Sequence, residues 1–174
     1  MNIPILETER LILRPLTLED ADAVFKWVSD DRVTKYMPYS TYTSVEDVRT
    51  WLSTVVNEKS TYNFGFVLRD TNVLIGSGDI GYNSEKEAWE FGYNIRFDYW
   101  KQGYATEAAK AMINFAFKEL DARCFSAKHA IDNPASGRVL EKCRLKFDHY
   151  DEYSKFDGTQ TFKATYYKGV INTI

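Results

Sequence analysis

Two glycine clusters hold the most conspicuous candidate chemistry in this sequence. Gly76-Ser77-Gly78-Asp79-Ile80-Gly81 fits the dinucleotide pattern G-x-G-x-x-G letter for letter. That pattern works where a strand turns into a helix whose amides face a pyrophosphate, and here a polar loop and another strand follow. These glycines therefore read as sheet residues that allow close approach of backbone or ligand. The second cluster, Tyr99-Trp100-Lys101-Gln102-Gly103-Tyr104-Ala105-Thr106-Glu107, links the clearest strand to the longest helical pattern. Gly103 permits a tight turn and Ala105 keeps the helix start small. The unpaired first-turn amides and the helix dipole favour an anion, with a pyrophosphate as natural guest. An ordinary strand-to-helix connection would show the same local spacing.

Side chains with acid, base or ligand chemistry lie nearby. Trp89, Phe91, Tyr93 and Ile95 alternate with Glu90, Gly92, Asn94 and Arg96, so one strand presents an apolar face and a polar face. Asn133-Pro134 supplies a helix N-cap followed by a first-turn proline. Cys124 and Cys143 show neither C-x-x-C nor Cys/His ligand spacing and read as reduced core thiols, and no metal site is expected. His129 and His149 each lie alone on strands, where a structural role is the ordinary one.

The elements that must position these groups follow from periodicity. Arg10–Arg14 reads as a strand ended by Pro15. Thr17-x-x-Asp20 and Ser44-x-x-Asp47 then open two amphipathic helices, separated by an aromatic loop from Asp30 to Thr43. A hairpin follows through Phe64–Leu68 and Val73–Ile75, then the alternating strand. A helix is expected over Tyr104–Leu120, a strand over Arg123–Ala130 and a short helix from Asn133 to about Cys143. Two more strands, Leu145–Tyr153 and Gln160–Lys168, are joined through Asp157-Gly158. No repeat, charge block or linker divides the chain, which reads as one α/β domain of mixed sheet topology over residues 1–174.

Composition bounds the function. The 174 residues carry 22 Lys+Arg against 25 Asp+Glu, a net charge of −3, so no field gathers nucleic acid or anionic lipid. Aromatic residues at 16% exclude disorder. No run approaches the roughly 18 apolar residues of a membrane span, and the N-terminus lacks a secretory signal, so a cytoplasmic location is expected. Oligomeric state has no signature in the sequence, and a homodimer is the default on base rates alone.

Taken together, Glu90-Phe91-Gly92-Tyr93-Asn94-Ile95, Tyr99-Trp100 and Gln102-Gly103-Tyr104-Ala105-Thr106-Glu107-Ala108 resemble the GNAT acetyltransferase superfamily, in particular its ribosomal-protein-alanine N-acetyltransferase branch. Thr8-Glu9-Arg10-Leu11-Ile12-Leu13-Arg14-Pro15, Asn133-Pro134-Ala135-Ser136 and Val139-Leu140-Glu141-Lys142 extend the likeness over nearly the whole chain. The resemblance implies an α/β fold of the α+β kind, with a mixed, largely antiparallel sheet, splayed at a cofactor site and flanked by about four helices.

It further implies acetyl-CoA as co-substrate. Its pantetheine arm would pair with the backbone around Asn94 and Ile95, its pyrophosphate would rest on the amides from Lys101 through Gln102, Gly103, Tyr104 and Ala105 to Thr106, and Asn133 would contact it near the thiol. Glu90 matches the strand position of a general-base carboxylate, with pairing across the sheet or to Arg96 as its structural alternative. A backbone N–H near Ile95 would polarise the thioester carbonyl. Leu140 occupies the place of the family's acid tyrosine, which leaves Ser136 as the candidate to position a water or the departing thiolate. Lys101 and Arg144 stand where the family has glycine, the second putting the helix end and the next strand in question. The implied activity is acetylation of a primary amine, either a protein N-terminus or a small amine. The alternative from another class is a non-catalytic acyl-CoA-binding or sensing module.

Overall fold

A computed structural model describes residues 3–172; the terminal residues of the expected 1–174 span lie outside the described residues. Eight strands form one sheet: β1 (Leu6–Glu7), β2 (Leu11–Pro15), β3 (Thr61–Leu68), β4 (Leu74–Asn83), β5 (Ala88–Ile95), β6 (Cys124–Ala130), β7 (Lys146–Ser154) and β8 (Thr161–Val170). Their spatial order is β1-β2-β3-β4-β5-β6-β8-β7, antiparallel at every step except β5–β6. The helices are α1 (Ala21–Val28), α2 (Asp31–Thr34), α3 (Val45–Asn57), α4 (Tyr104–Glu119) and α5 (Pro134–Lys142).

The expected helix starts form as their spacing requires. Thr17 and Asp20 make a capping box around a 3-10 turn that leads into α1, and the Ser44 side chain accepts the Asp47 N–H at the start of α3. The aromatic loop differs from expectation, because it contains α2. Asp30 caps that single turn and pairs with Arg32. Four residues are too few to show helical periodicity in a sequence.

Side-chain alternation divides the sheet into two cores. Leu13, Phe66, Ile80, Phe91 and Ile95 point to the face covered by α4 and α5, where Met112, Ala116 and Leu140 pack on them. Ile12, Val67 and Leu74 point to the other face, where Val24, Trp27, Val48 and Leu52 of α1 and α3 close a second core. Fully burying side chains of this size contributes roughly 1.5–3 kcal/mol each. The clusters therefore hold the sheet between two helical layers.

Sequence leaves the end of α5 in question, and the structure settles it without a glycine. Arg144 adopts the left-handed conformation (φ +66°) itself. Its N–H donates to the Glu141 carbonyl at 2.9 Å and the Leu145 N–H to the Leu140 carbonyl at 3.2 Å. These two bonds close a Schellman turn, and β7 follows at Lys146.

Candidate active site

The parallel step is where the sheet comes apart. β5 and β6 pair only at Trp89↔Phe125 and Glu90↔Ser126, although both strands run on, to Ile95 and Ala130. Past Glu90 their facing edges diverge. The Arg96 N–H donates to the Ile75 carbonyl, which turns the even-numbered peptide groups of β5 toward β4. Those of Tyr93 and Ile95 therefore face the opening, and those of Asn94 do not. The Trp100 indole already donates to the Ile95 carbonyl at 2.6 Å. On the open edge, then, the Tyr93 peptide groups and the Ile95 N–H are exposed to the gap, and the peptide groups of Asn94, where pairing was expected, are turned to β4. The Asn94 side chain takes a hydrogen bond from the Ser77 hydroxyl at 3.3 Å on the α1/α3 face.

At one end of this opening stands the N-terminus of α4. Gly103 is left-handed (φ +87°), and the first intrahelical bond runs from Glu107 N–H to the Gly103 carbonyl. The amides of Tyr104, Ala105 and Thr106 precede that bond and have no partner within the helix. Lys101 also adopts a left-handed backbone (φ +62°) and is exposed, while Gln102 bonds through its side chain to the Asp98 carbonyl. Sequence reasoning missed Arg10. Its guanidinium donates to Glu107 at 2.7 Å and to the Gln102 carbonyl at 2.9 Å, and lies 4.4 Å from the centre of the Tyr104 ring. Thr8 donates to the same Glu107 carboxylate at 2.6 Å. The chain opening Thr8-Glu9-Arg10 thus fixes the loop and helix start that sequence singled out.

At the other end, α5 brings Ser136 over the opening. Its hydroxyl lies 2.8 Å from the Tyr93 phenol, a partner not foreseen. Burial pushes the Tyr93 phenol up, with the Ser136 hydrogen bond opposing. Leu140 is fully buried in the core and supplies no hydroxyl. Asn133 occupies the N-cap position, but its side chain makes no capping bond, contrary to the expected N-cap role. That amide side chain stays available at the rim.

The α1/α3 face beneath the opening is polar. Ser77, Asp79, Glu90, Asn94, Ser126 and Lys128 share it through the cross-strand register. Glu90 does not pair with Arg96, which binds Asp98 instead. It accepts from Lys86 at 2.7 Å, Lys128 at 3.2 Å and Asn83 at 2.9 Å. Burial works against its ionisation, but the Lys86 hydrogen bond and the Lys128 charge outweigh this and hold the carboxyl below its usual range. Asp79, which sequence placed only inside a misleading glycine pattern, is the opposite case. Burial first and the Glu90 charge second push it up to about 6, with Lys128 opposing. The histidines lie elsewhere, His149 stacked on Tyr166 and His129 against Gly137. Among the described residues no group of His, Cys, Asp and Glu is arranged to hold a metal ion.

Comparison with known proteins places the chain within one family. Residues 10–146 match the model of the acetyltransferase (GNAT) domain. The chain is 36% identical over 145 residues to the uncharacterized N-acetyltransferase YoaA of Bacillus subtilis (strain 168), covering 80% of this chain and 81% of that protein. Its fold superposes on a crystal structure of a GNAT-family acetyltransferase from Bacillus anthracis with a TM-score of 0.84 at 28% identity, covering 96% and 98% of the two chains. A likeness of fold alone, TM-score 0.82 at 17% identity over 97% and 99% of the chains, extends to RimL, a ribosomal L7/L12 alpha-N-protein acetyltransferase in complex with coenzyme A.

Proposed function

Because the chain belongs to the GNAT acetyltransferase family, we propose that it transfers the acetyl group of acetyl-CoA to a primary amine, a protein N-terminus or a small amine, by direct attack on the thioester within a single domain spanning residues 1–174. The observation that carries this reading is the parting of β5 and β6 beside the bare N-terminus of α4. The opening fits the co-substrate on three counts. The Tyr93 carbonyl and the Ile95 N–H on the open edge suit the amides of a pantetheine arm. The amides of Tyr104, Ala105 and Thr106, with Lys101 beside them, suit a pyrophosphate. The uncommitted Asn133 side chain suits a contact near the thiol end.

Bound there, acetyl-CoA supplies an activated acetyl group. The protein's own residues do the rest. The Tyr93 N–H, two residues before Ile95 on the open edge, can polarise the thioester oxygen, and the Tyr93–Ser136 hydroxyl pair stands where Leu140 offers none, so it can donate a hydrogen bond to the leaving sulfur. A thiolate whose thiol has a reference pKa near 8.5 is a good leaving group and can take its proton from solvent, without a dedicated acid. The polar α1/α3 face receives the amine and its proton.

The test is release of CoA thiol from acetyl-CoA against separate sets of polyamines, amino sugars and peptides with varied N-termini. An enzyme-only trace is subtracted, to remove any signal from the partly exposed free thiol of Cys124. Amine-dependent release supports the transferase, and the active set identifies the acceptor class. Silence in every set, with acetyl-CoA still raising the melting temperature, favours the acyl-CoA-sensing module instead.

A further inference from the structure

Acetylation of an amine needs a destination for the amine's proton, and the inference here rests on and deepens the reading just given. Two carboxylates share the polar face, and their surroundings divide the work between them. Glu90 has three partners, in Lys86, Lys128 and Asn83. The Asp79 carboxylate, among the described residues, accepts no hydrogen bond and forms no ion pair.

Position separates them too. Asp79 lies opposite Gly92, two residues beyond the last β5–β6 pair at Glu90↔Ser126. A Cβ added to Gly92 would stand 3.2 Å from Asp79 Oδ1. The carboxylate therefore leans over a backbone without a side chain, toward the apex of the opening. Ser126, at that apex, buries a hydroxyl that has no hydrogen-bond partner among the described residues. An unpaired carboxylate and an unpaired hydroxyl thus lie on one face of the sheet, on the strands either side of β5, where polar groups remain to be satisfied.

We infer that Asp79, and not Glu90, takes the proton from the acceptor amine, while Glu90, fixed by Lys86 and Lys128, acts as a positioning residue that forms the wall of the acceptor site. In the step, the amine nitrogen forms the N–C bond to the thioester carbon, and the C–S bond breaks with its electron pair on sulfur. The N–H proton passes to Asp79. The sulfur, hydrogen-bonded by the Tyr93–Ser136 pair, takes a proton from solvent, and Asp79 later returns its own to water. Amine and thioester become amide and thiol, with no oxidant or reductant involved.

The groups around Asp79 are consistent with that task. Glu90 from β5 raises it, Lys128 from β6 lowers it, Lys86 engages Glu90 from the turn before β5, and the Tyr166 phenol of β8 lies beneath both ammonium groups. Burial adds to the upward push, so the group sits at about 6, still ionised at neutral pH and more basic than an ordinary aspartate.

The experiment compares wild type, Asp79→Asn, Asp79→Glu and Glu90→Gln in kcat/KM from pH 5 to 9. The probes are acetyl-CoA with spermidine and with peptides beginning in alanine and serine, alongside acetyl-CoA affinity by calorimetry and carboxyl titration by carbon NMR. Asp79→Asn is expected to lower kcat by about 100-fold or more with acetyl-CoA affinity unchanged, abolishing the acidic limb near pH 6. Asp79→Glu recovers part of the rate. Glu90→Gln costs about 10-fold or less, raises KM and moves the limb to lower pH, because the Glu90 charge that helps raise Asp79 is gone. Turnover that survives Asp79→Asn with its acidic limb intact overturns the inference alone. So does a loss of kcat in Glu90→Gln as large as that in Asp79→Asn, or an Asp79 carboxyl that titrates in the ordinary range near 4 in the wild type. Absence of turnover by the wild type with every amine overturns the transferase reading beneath it.

Discussion

Asp79 illustrates a cost at the scale of one residue. A carboxyl whose pKa rises from 3.8 to about 6 on folding binds its proton more tightly in the folded than in the unfolded chain. Relative to a neutral side chain it therefore costs nothing below about pH 4, opposes folding increasingly as pH rises from 4 to 6, and carries its full cost above 6. The shift corresponds to at most about 3 kcal/mol. Asp79→Asn is expected to raise the melting temperature at pH 7.5 and to lose that advantage at pH 4, measured against wild type in the same buffers. A group retained at such a cost is characteristic of sites rather than scaffolds. Lys101 offers the same contrast in the backbone. It holds φ +62° without being glycine, so Lys101→Gly should stabilise the fold by about 1 kcal/mol. By removing a cation beside the α4 amides, it should also weaken acetyl-CoA binding a few-fold in calorimetry, most at low salt.

Among the elements, those with their own periodicity were legible and those fastened by main-chain groups were not. Thr17-x-x-Asp20, Ser44-x-x-Asp47 and the alternating strand around Glu90 formed as expected because each pattern names side chains that act locally. The aromatic loop is different. Lys155 of the β7–β8 turn donates to the carbonyls of Thr34 at 2.9 Å, Met37 at 3.1 Å and Tyr39 at 2.9 Å, and Tyr153 donates to the carbonyl of Tyr36 at 2.6 Å. Every residue has a carbonyl, so nothing in the letters from 34 to 39 announces this cage. The same holds for the opening itself, because the loss of pairing after Glu90↔Ser126 concerns peptide groups alone. Burial lowers the Lys155 ammonium from its ordinary value, with Asp157 opposing. Lys155→Met leaves three carbonyls without their donor and should cost about 1–3 kcal/mol. Hydrogen exchange should then report faster exchange over residues 34–42 while α4 stays protected.

For the whole molecule, the two cores on opposite faces of the sheet hold β5 rigid on its β4 side while leaving one stretch of its other edge unpaired. This asymmetry is unusual in a central strand, where both edges are normally satisfied, and it makes a prediction with single-residue resolution. Without ligand, the Asn94 amide, paired to β4, should exchange slowly. Those of Tyr93 and Ile95 should exchange fast, even though they lie in the middle of the sheet and the Ile95 side chain is buried. Acetyl-CoA should then slow Tyr93, Ile95 and the amides of Tyr104 to Thr106 together, because one ligand spans both ends of the opening. Its effect on global stability should grow with the logarithm of its concentration above the dissociation constant. Uniform slow exchange along β5 before ligand is added would show that the two strands close on each other in solution. Protection at residues 104–106 alone would place the pyrophosphate on α4 but leave the pantetheine arm outside the opening. Only protection of alternate residues in β5 together with the start of α4 matches a co-substrate threaded between the strands.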